Sequence, residues 1–218
     1  MTVFGNIKGM SSVIETILRQ LNSDYVTSAE LSIVMPGPED ARYAQIKRAL
    51  AKGYLVRLKR GLYRRVGYLE KTKPHPFEMA HYLYWPSYVS LESSLSYHGL
   101  IPEVVYSTTC VTSKRSREFK NSFGVFSYKT VPHKDFFTGV DRVKERGGAY
   151  YIAKPWKALC DYVYCYKKDW HSLSPLTHSL RIDKYDLPIL SEDERLMFTQ
   201  YYCSKRIERF LKGVSREY

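Results

Sequence analysis

"GYLVRLKRGLYRRVGY", residues 53–68, decides how the amino-terminal part of this chain is read. Leu55-Val56 and Leu62-Tyr63 suit two strands, and Gly61 permits the turn between them. Arg57, Lys59, Arg60, Arg64 and Arg65 crowd the same short hairpin. Tyr63 reads as core beneath it rather than as a stacking platform.

The residues before the hairpin explain the charge. A helix is expected from Glu39, with Tyr43, Ile46 and Leu50 as its inward stripe. Ala44, Gln45, Arg48, Ala51 and Lys52 fall on the opposite face, with Arg42 on its flank, and Gly53 is a stop signal. Further upstream, Thr27 with Glu30 forms a capping box leading into Leu31 and Ile33 or Val34, and "PGP" (36–38) ends that helix. Earlier still, Ser12 with Glu15 precedes Val13, Ile14, Ile17, Leu18 and Leu21 at helical spacing, until "NSD" (22–24) breaks the run. Three short helices followed by a basic hairpin is the order of a winged helix-turn-helix. In that arrangement the third helix enters the DNA groove and the hairpin lies along a phosphate backbone, where its charge drives counterion release.

Charge distribution supports the same division. The chain of 218 residues carries a formal net charge of +12, which favours an anionic partner. From Arg42 to Lys73 there are eleven Lys or Arg and one acid, Glu70, so this segment supplies +10 and the rest of the chain about +2. Apolar residues make up 44%, enough for a core and too many for wholesale disorder. The four cysteines, Cys110, Cys160, Cys165 and Cys203, form no Cys-x-x-Cys pair, and no His/Cys cluster has zinc spacing. They read as buried free thiols in a reducing compartment. "MTVFGNIKGM" lacks the apolar stretch of a signal peptide and no run reaches membrane-spanning length, so a cytoplasmic protein without a membrane partner is expected.

"EKTKPHP" (70–76) reads as a linker, dividing a DNA-binding domain over 1–73 from a second domain over 74–218. In the second, "FEMAHYLYW" (77–85) and "SLESSLSYHGL" (90–100) read as helices, and "VVYSTTCVT" (104–112) and "GVFSYKTV" (124–131) as strands. "VDRVKERGGAYYIA" (140–153) reads as a hairpin turning at Gly147-Gly148. "KPWKALCDYVYCY" (154–166) reads as a helix with Pro155 in its first turn. Ser191 with Glu194 caps a last helix reaching about Phe210. Strands and helices mix without βαβ alternation, so the fold class is α+β.

Five stretches, "IKRALAKGYLVRLKRGLYRR", "YVSLESSLSYHGLIPE", "STTCVTSKRSREF", "GVFSYKTV" and "AKPWKALCDYVY", together resemble the AbiEi antitoxins of type IV toxin–antitoxin systems and related regulators. The resemblance runs in order from about residue 10 to 166 and is looser over 167–218. Trp156 departs from it, standing where the family often has an acidic residue. The resemblance implies a winged helix that binds repeats in its own promoter and represses its operon. It further implies a carboxy-terminal domain that counters a nucleotidyltransferase-like toxin, with or without a stable complex.

The site residues expected on DNA are Arg42, Gln45, Lys47, Arg48 and Lys52 on the third helix, with Arg57, Lys59, Arg60, Arg64 and Arg65 on the wing. Arg pairs with guanine and Gln with adenine in the major groove. A second basic cluster, Lys114, Arg115, Arg117 and Lys120, sits between expected strands. It reads either as a solvated loop or as a second contact, with DNA, the toxin or the toxin's RNA substrate. No catalytic residue, metal or cofactor is expected. Glu118-Phe119-Lys120 has the Glu-x-Lys of metal-dependent nucleases, but no acid on a preceding strand completes a site. Asp161 reads most simply as a helix-surface or capping residue. A nucleic-acid-processing enzyme delivered by a winged helix and a plain transcription factor with a sensing or dimerising domain are the rival readings.

Overall fold

The computed structural model describes residues 20, 21, 23–66, 74–103, 105–145 and 148–217. The expected first helix, apart from Leu21, the greater part of the linker and Gly147 lie outside the described residues. The chain is mixed α+β and divides into two units, Met1–Lys71 and Thr72–Tyr218.

In the first unit, strand β1 (Tyr25–Thr27) runs directly into helix α1 (Ser28–Val34). The Thr27–Glu30 capping box forms in both directions. It satisfies two amides that the first helical turn leaves without partners. Leu31 is buried while Ile33 is exposed, so Val34 and not Ile33 joins the core. Helix α2 (Glu39–Ala51) follows Pro38, and Gly53 at φ +75° closes its end, its amide donating a hydrogen bond to the Leu50 carbonyl. Strands β2 (Leu55–Lys59) and β3 (Leu62–Arg65) form the expected hairpin, with Gly61 at φ +76° in the turn. β1 pairs with β3, giving a three-stranded antiparallel sheet of order β1-β3-β2. Val26, Leu31, Met35, Ile46, Ala49, Leu55 and Tyr63 make its core.

The second unit is built on a six-stranded sheet of order β6-β7-β5-β4-β9-β8. Its strands are β4 (Ser87–Val89), β5 (Ser107–Thr112), β6 (Arg117–Asn121), β7 (Gly124–Thr130), β8 (Val140–Glu145) and β9 (Gly148–Ala153). β4/β9 and β5/β7 pair in parallel and the other neighbours antiparallel. Central strand β4 is buried at all three positions and β5 at its last four, so both are covered on both faces. Helix α3 (Pro76–Leu83) covers one face, where the Tyr128 hydroxyl donates to the Ala80 carbonyl at 2.7 Å. Helices α4 (Leu91–Tyr97) and α5 (Pro155–Cys165) cover the other, packing with Tyr88, Val111 and Ala153. The serines of α4 are buried rather than solvated: the Ser93 amide donates to Thr109 Oγ1 at 2.9 Å, and Ser94 Oγ to the Ala153 carbonyl at 2.7 Å.

Three expectations are corrected here. The segment around Arg117 is not all loop, because Arg117–Asn121 pairs with β7 as an edge strand. The single last helix is two, α7 (Glu192–Tyr202) and α8 (Lys205–Val214), parted at Cys203, which takes a left-handed conformation. A short helix α6 (Ser174–Leu180) precedes them. The thiols are free, but Cys203 is exposed while Cys110 and Cys160 are buried. Among the described residues no helix is long and apolar enough to cross a membrane.

Candidate nucleic-acid interface

Helix α2 turns a cationic face to solvent, though not the whole face that periodicity suggests. Ile46 and Ala49 point into the core with Leu50 packed beside them. Tyr43, expected inside, is 62% exposed. A buried position passes to Ala49, since a small residue lets the helix approach the sheet closely. Lys47, Arg48 and Lys52 are exposed with Tyr43. Gln45, one turn before Arg48, is half-buried, and its Oε1 is enclosed without a hydrogen-bond partner. Arg42 is half-buried and donates to the Gly37 carbonyl at 2.6 Å, bracing the turn before the helix.

The hairpin divides its cations in the same way. Arg57 and Arg60 are exposed and Lys59 is half-buried. The Arg57 guanidinium lies 5.8 Å from the Tyr63 ring, and Tyr63 is buried as expected. Arg64 and Arg65 depart from the expected DNA-contacting set. Arg64 is only 5% exposed. Arg65 donates to the Leu21 carbonyl at 2.9 Å and pairs with Asp24 at 3.1 Å, tying β3 to the segment before β1. Neighbours on a strand point to opposite faces, so alternation alone does not withdraw both: Arg64 is buried within β3, and Arg65 is held by its partners Leu21 and Asp24. The exposed cationic set on this unit is therefore Lys47, Arg48, Lys52, Arg57 and Arg60, with Lys59 half-exposed.

The second cluster divides between a turn and an edge strand. Lys114, Arg115, Arg117 and Lys120 are all exposed. Lys114 Nζ donates to the Trp85 carbonyl at 2.7 Å, and the Tyr84 hydroxyl donates to the Arg115 carbonyl at 3.1 Å. Lys114 and Arg117 both stand near the Tyr84 ring, at 5.6 and 5.9 Å. Glu118 sits opposite Ser127 in register, so no second carboxylate shares its rung. Among the described residues no group of three His, Cys, Asp or Glu could hold a metal ion.

Asp161 is neither a surface nor a capping residue. It is fully buried with Lys157 one turn before it, the ammonium and carboxylate 3.2 Å apart. Tyr202 donates to the same carboxylate at 2.5 Å, Ser90 at 2.7 Å and Tyr88 at 3.1 Å. Lys157 Nζ also donates to the Tyr202 hydroxyl at 2.7 Å and sits 3.8 Å from the Tyr201 ring centroid. Burial pulls the Lys157 pKa down and Asp161 opposes that shift. Burial, then the Asp161 charge, raises Tyr88 and Tyr202 well above the usual phenol range. With all of these residues buried, the network joins α5, α7 and the β4–α4 junction. Trp156 beside it is buried too, its indole donating to the Pro188 carbonyl at 2.7 Å. A lysine and an aspartate four apart were the sequence signal for this pair, but that spacing is equally common on solvated helices.

No protein-family model and no curated protein matches this chain.

Proposed function

We propose that this chain is a DNA-binding repressor of its own operon and an antitoxin of the AbiEi type. The observation that carries the proposal is the exposed set Lys47, Arg48, Lys52, Arg57 and Arg60, borne by one helix and the hairpin that follows it. The described order β1-α1-α2-β2-β3 and the sheet order β1-β3-β2 support reading α2 as the helix for the groove and β2–β3 as the wing. What supports the antitoxin half is the ordered resemblance through residue 166, and the separation of the chain into two units. Repression then belongs to the first unit and toxin neutralisation to the second.

The test uses the full-length chain in cells carrying its promoter fused to a reporter and the neighbouring toxin gene. Combined replacement of Lys47, Arg48 and Arg60 by Ala should release the promoter and leave protection from the toxin intact. Replacement of Lys114, Arg115 and Arg117 by Ala should do the reverse, with thermal melting showing that both variants fold. If the neighbouring gene encodes no toxin, or if the intact chain gives no growth rescue, the antitoxin reading fails. If the first variant still represses, the DNA-binding reading fails.

A further inference from the structure

The second unit carries an aromatic cleft that the operator-binding reading does not use. Its volume is about 310 Å³, and it lies between α3 and the β8–β9 hairpin. Glu78, His81, Tyr82, Trp85, Arg142 and Tyr151 line it, with Ala149. Trp85 is 47% exposed and stacks on Phe137 at 5.6 Å between centroids and 27° between planes. Phe137 in turn packs on Tyr151 at 5.0 Å, and His81 meets the Trp85 ring edge-on at 4.5 Å. Soluble proteins rarely leave a tryptophan half in water on an aromatic floor without a use for it. The polar groups are equally specific. His81 Nδ1 is buried and has no hydrogen-bond partner. Burial, and after it the Arg142 charge, lowers the His81 pKa, so the ring is neutral and able to donate or accept. Arg142 is exposed opposite Tyr151 in the β8–β9 register. The one carboxylate in the lining, Glu78, lies against the Gly148 backbone, where a Cβ would come within 2.1 Å of it.

The basic cluster adjoins this cleft directly, because Lys114 is anchored on the backbone of Trp85 itself. Arg115 and Arg117 continue the positive line past the aromatic floor, on a turn and an edge strand. An exposed ring for stacking, an unpartnered neutral hydrogen-bonding group and flanking cations are the parts of a single-strand binding site. Duplex DNA would fill none of the first two, since its bases are already stacked.

We propose that this cleft takes an unstacked base of a single-stranded nucleic acid, stacked on Trp85, with Arg142 and Lys114 on the flanking phosphates. A free nucleotide shares the base and phosphate chemistry, but the cations running on through Arg115 and Arg117 extend beyond one nucleotide. The proposal stands apart from the promoter-binding reading, since it concerns different residues on the other unit.

The test is a fluorescence titration of the full-length protein carrying Ala at Lys47, Arg48, Lys52, Arg57, Lys59 and Arg60, which removes the first unit's exposed and half-exposed cations. The probe is a mixed-sequence single-stranded RNA of about eight nucleotides. Of the three tryptophans, Trp156 is buried and Trp170 is stacked on Tyr162, so quenching on base stacking should come from Trp85. Quenching is expected with the single strand and not with a duplex of the same length. Trp85→Leu should abolish it and weaken binding, followed by anisotropy of a labelled strand, by about 5- to 150-fold. Arg142→Ala should lower the salt slope by about one while leaving the melting temperature unchanged. Equal binding by a mononucleotide at the same concentration would overturn the strand assignment. Undiminished binding by both Trp85→Leu and Arg142→Ala, or no quenching at all, would overturn the site. If Trp85→Leu lowers the melting temperature, Arg142→Ala and Trp85→Phe, which keeps the ring, decide the matter.

Discussion

On the proposed reading, Arg48 and Arg60 bring the same charge to different tasks. Arg48 stands on the exposed face of a regular helix, where a guanidinium can reach two acceptors on a guanine edge. Arg60 sits at the hairpin turn, where it can meet only backbone phosphate if α2 occupies the groove. Arg48→Ala should therefore reduce discrimination between operator and random DNA by about 1–3 kcal/mol. Arg60→Ala should weaken both alike and lower the salt dependence by about one in the log–log slope. Competition titrations at two salt concentrations separate the cases, and identical behaviour would remove α2 from the groove. Buried charges obey a different logic. Asp161 accepts from three hydroxyls and one ammonium, whereas Lys157 gives up one carboxylate, one phenol and contacts with three rings when removed. Breaking a buried pair costs about 3–5 kcal/mol. Asp161→Ala should lie at the upper end, because it also strands the Tyr88, Ser90 and Tyr202 hydroxyls. Lys157→Met, which keeps the volume, should cost less. Denaturant melts showing the reverse order would mean that the lysine, not the carboxylate, organises the network.

At the scale of elements, helix α8 offers a test against simple propensity. Gly213 lies inside α8, where Ala is normally worth about 1 kcal/mol. A Cβ there would stand 1.9 Å from the His171 carbonyl oxygen, which is backbone and cannot swing away. Gly213→Ala should therefore destabilise the chain by about 1–3 kcal/mol, the range for overpacking, as thermal melting would read. Helices and strands with strong local signals were legible in the sequence for the same reason that Gly213 was not. The Thr27–Glu30 and Ser191–Glu194 capping boxes are complete within four residues, and both formed. Gly53 and Gly61 take the positive φ their positions demanded. What failed depends on partners distant in sequence. Strand β4 is three residues long and exists through pairing with β5 and β9. Strand β6 looks like a charged loop until β7 lies beside it. The inward place given to Tyr43 went to Ala49, a matter of how near the sheet comes. Of the cations, the exposed set on α2 and the turn was legible from charge alone. The withdrawal of Arg65 depends on Leu21 and Asp24, before β1, and that of Arg64 on its buried place in β3.

At the scale of the whole molecule, two histidines tie stability to pH. Burial lowers the pKa of His75 and His81 below 6.5, with Arg142 adding to the shift at His81 and Glu145 opposing it at His75. The unfolded chain therefore takes up protons at higher pH than the folded one. Between the folded values and about 6.5 the unfolded state binds more protons, so stability falls as pH drops through that window. Above it both states are neutral and the contribution is flat. The melting temperature should decline between about pH 7 and pH 5.5, and His81→Gln should flatten that decline. A melting temperature that rises on acidification would show that these rings gain proton partners on folding.

The two ends of the large sheet bear on how the chain behaves in company with itself. β6 and β8 are its outer strands, and among the described residues no further strand pairs with the outer border of either. Arg117, Glu118 and Lys120 crowd one border, and Asp141, Arg142, Lys144 and Glu145 the other, all of them exposed. A second copy approaching either border to extend the sheet would have to strip water from several ions at once. The charged side chains of both signs along these borders thus keep newly made copies from zipping together edge to edge.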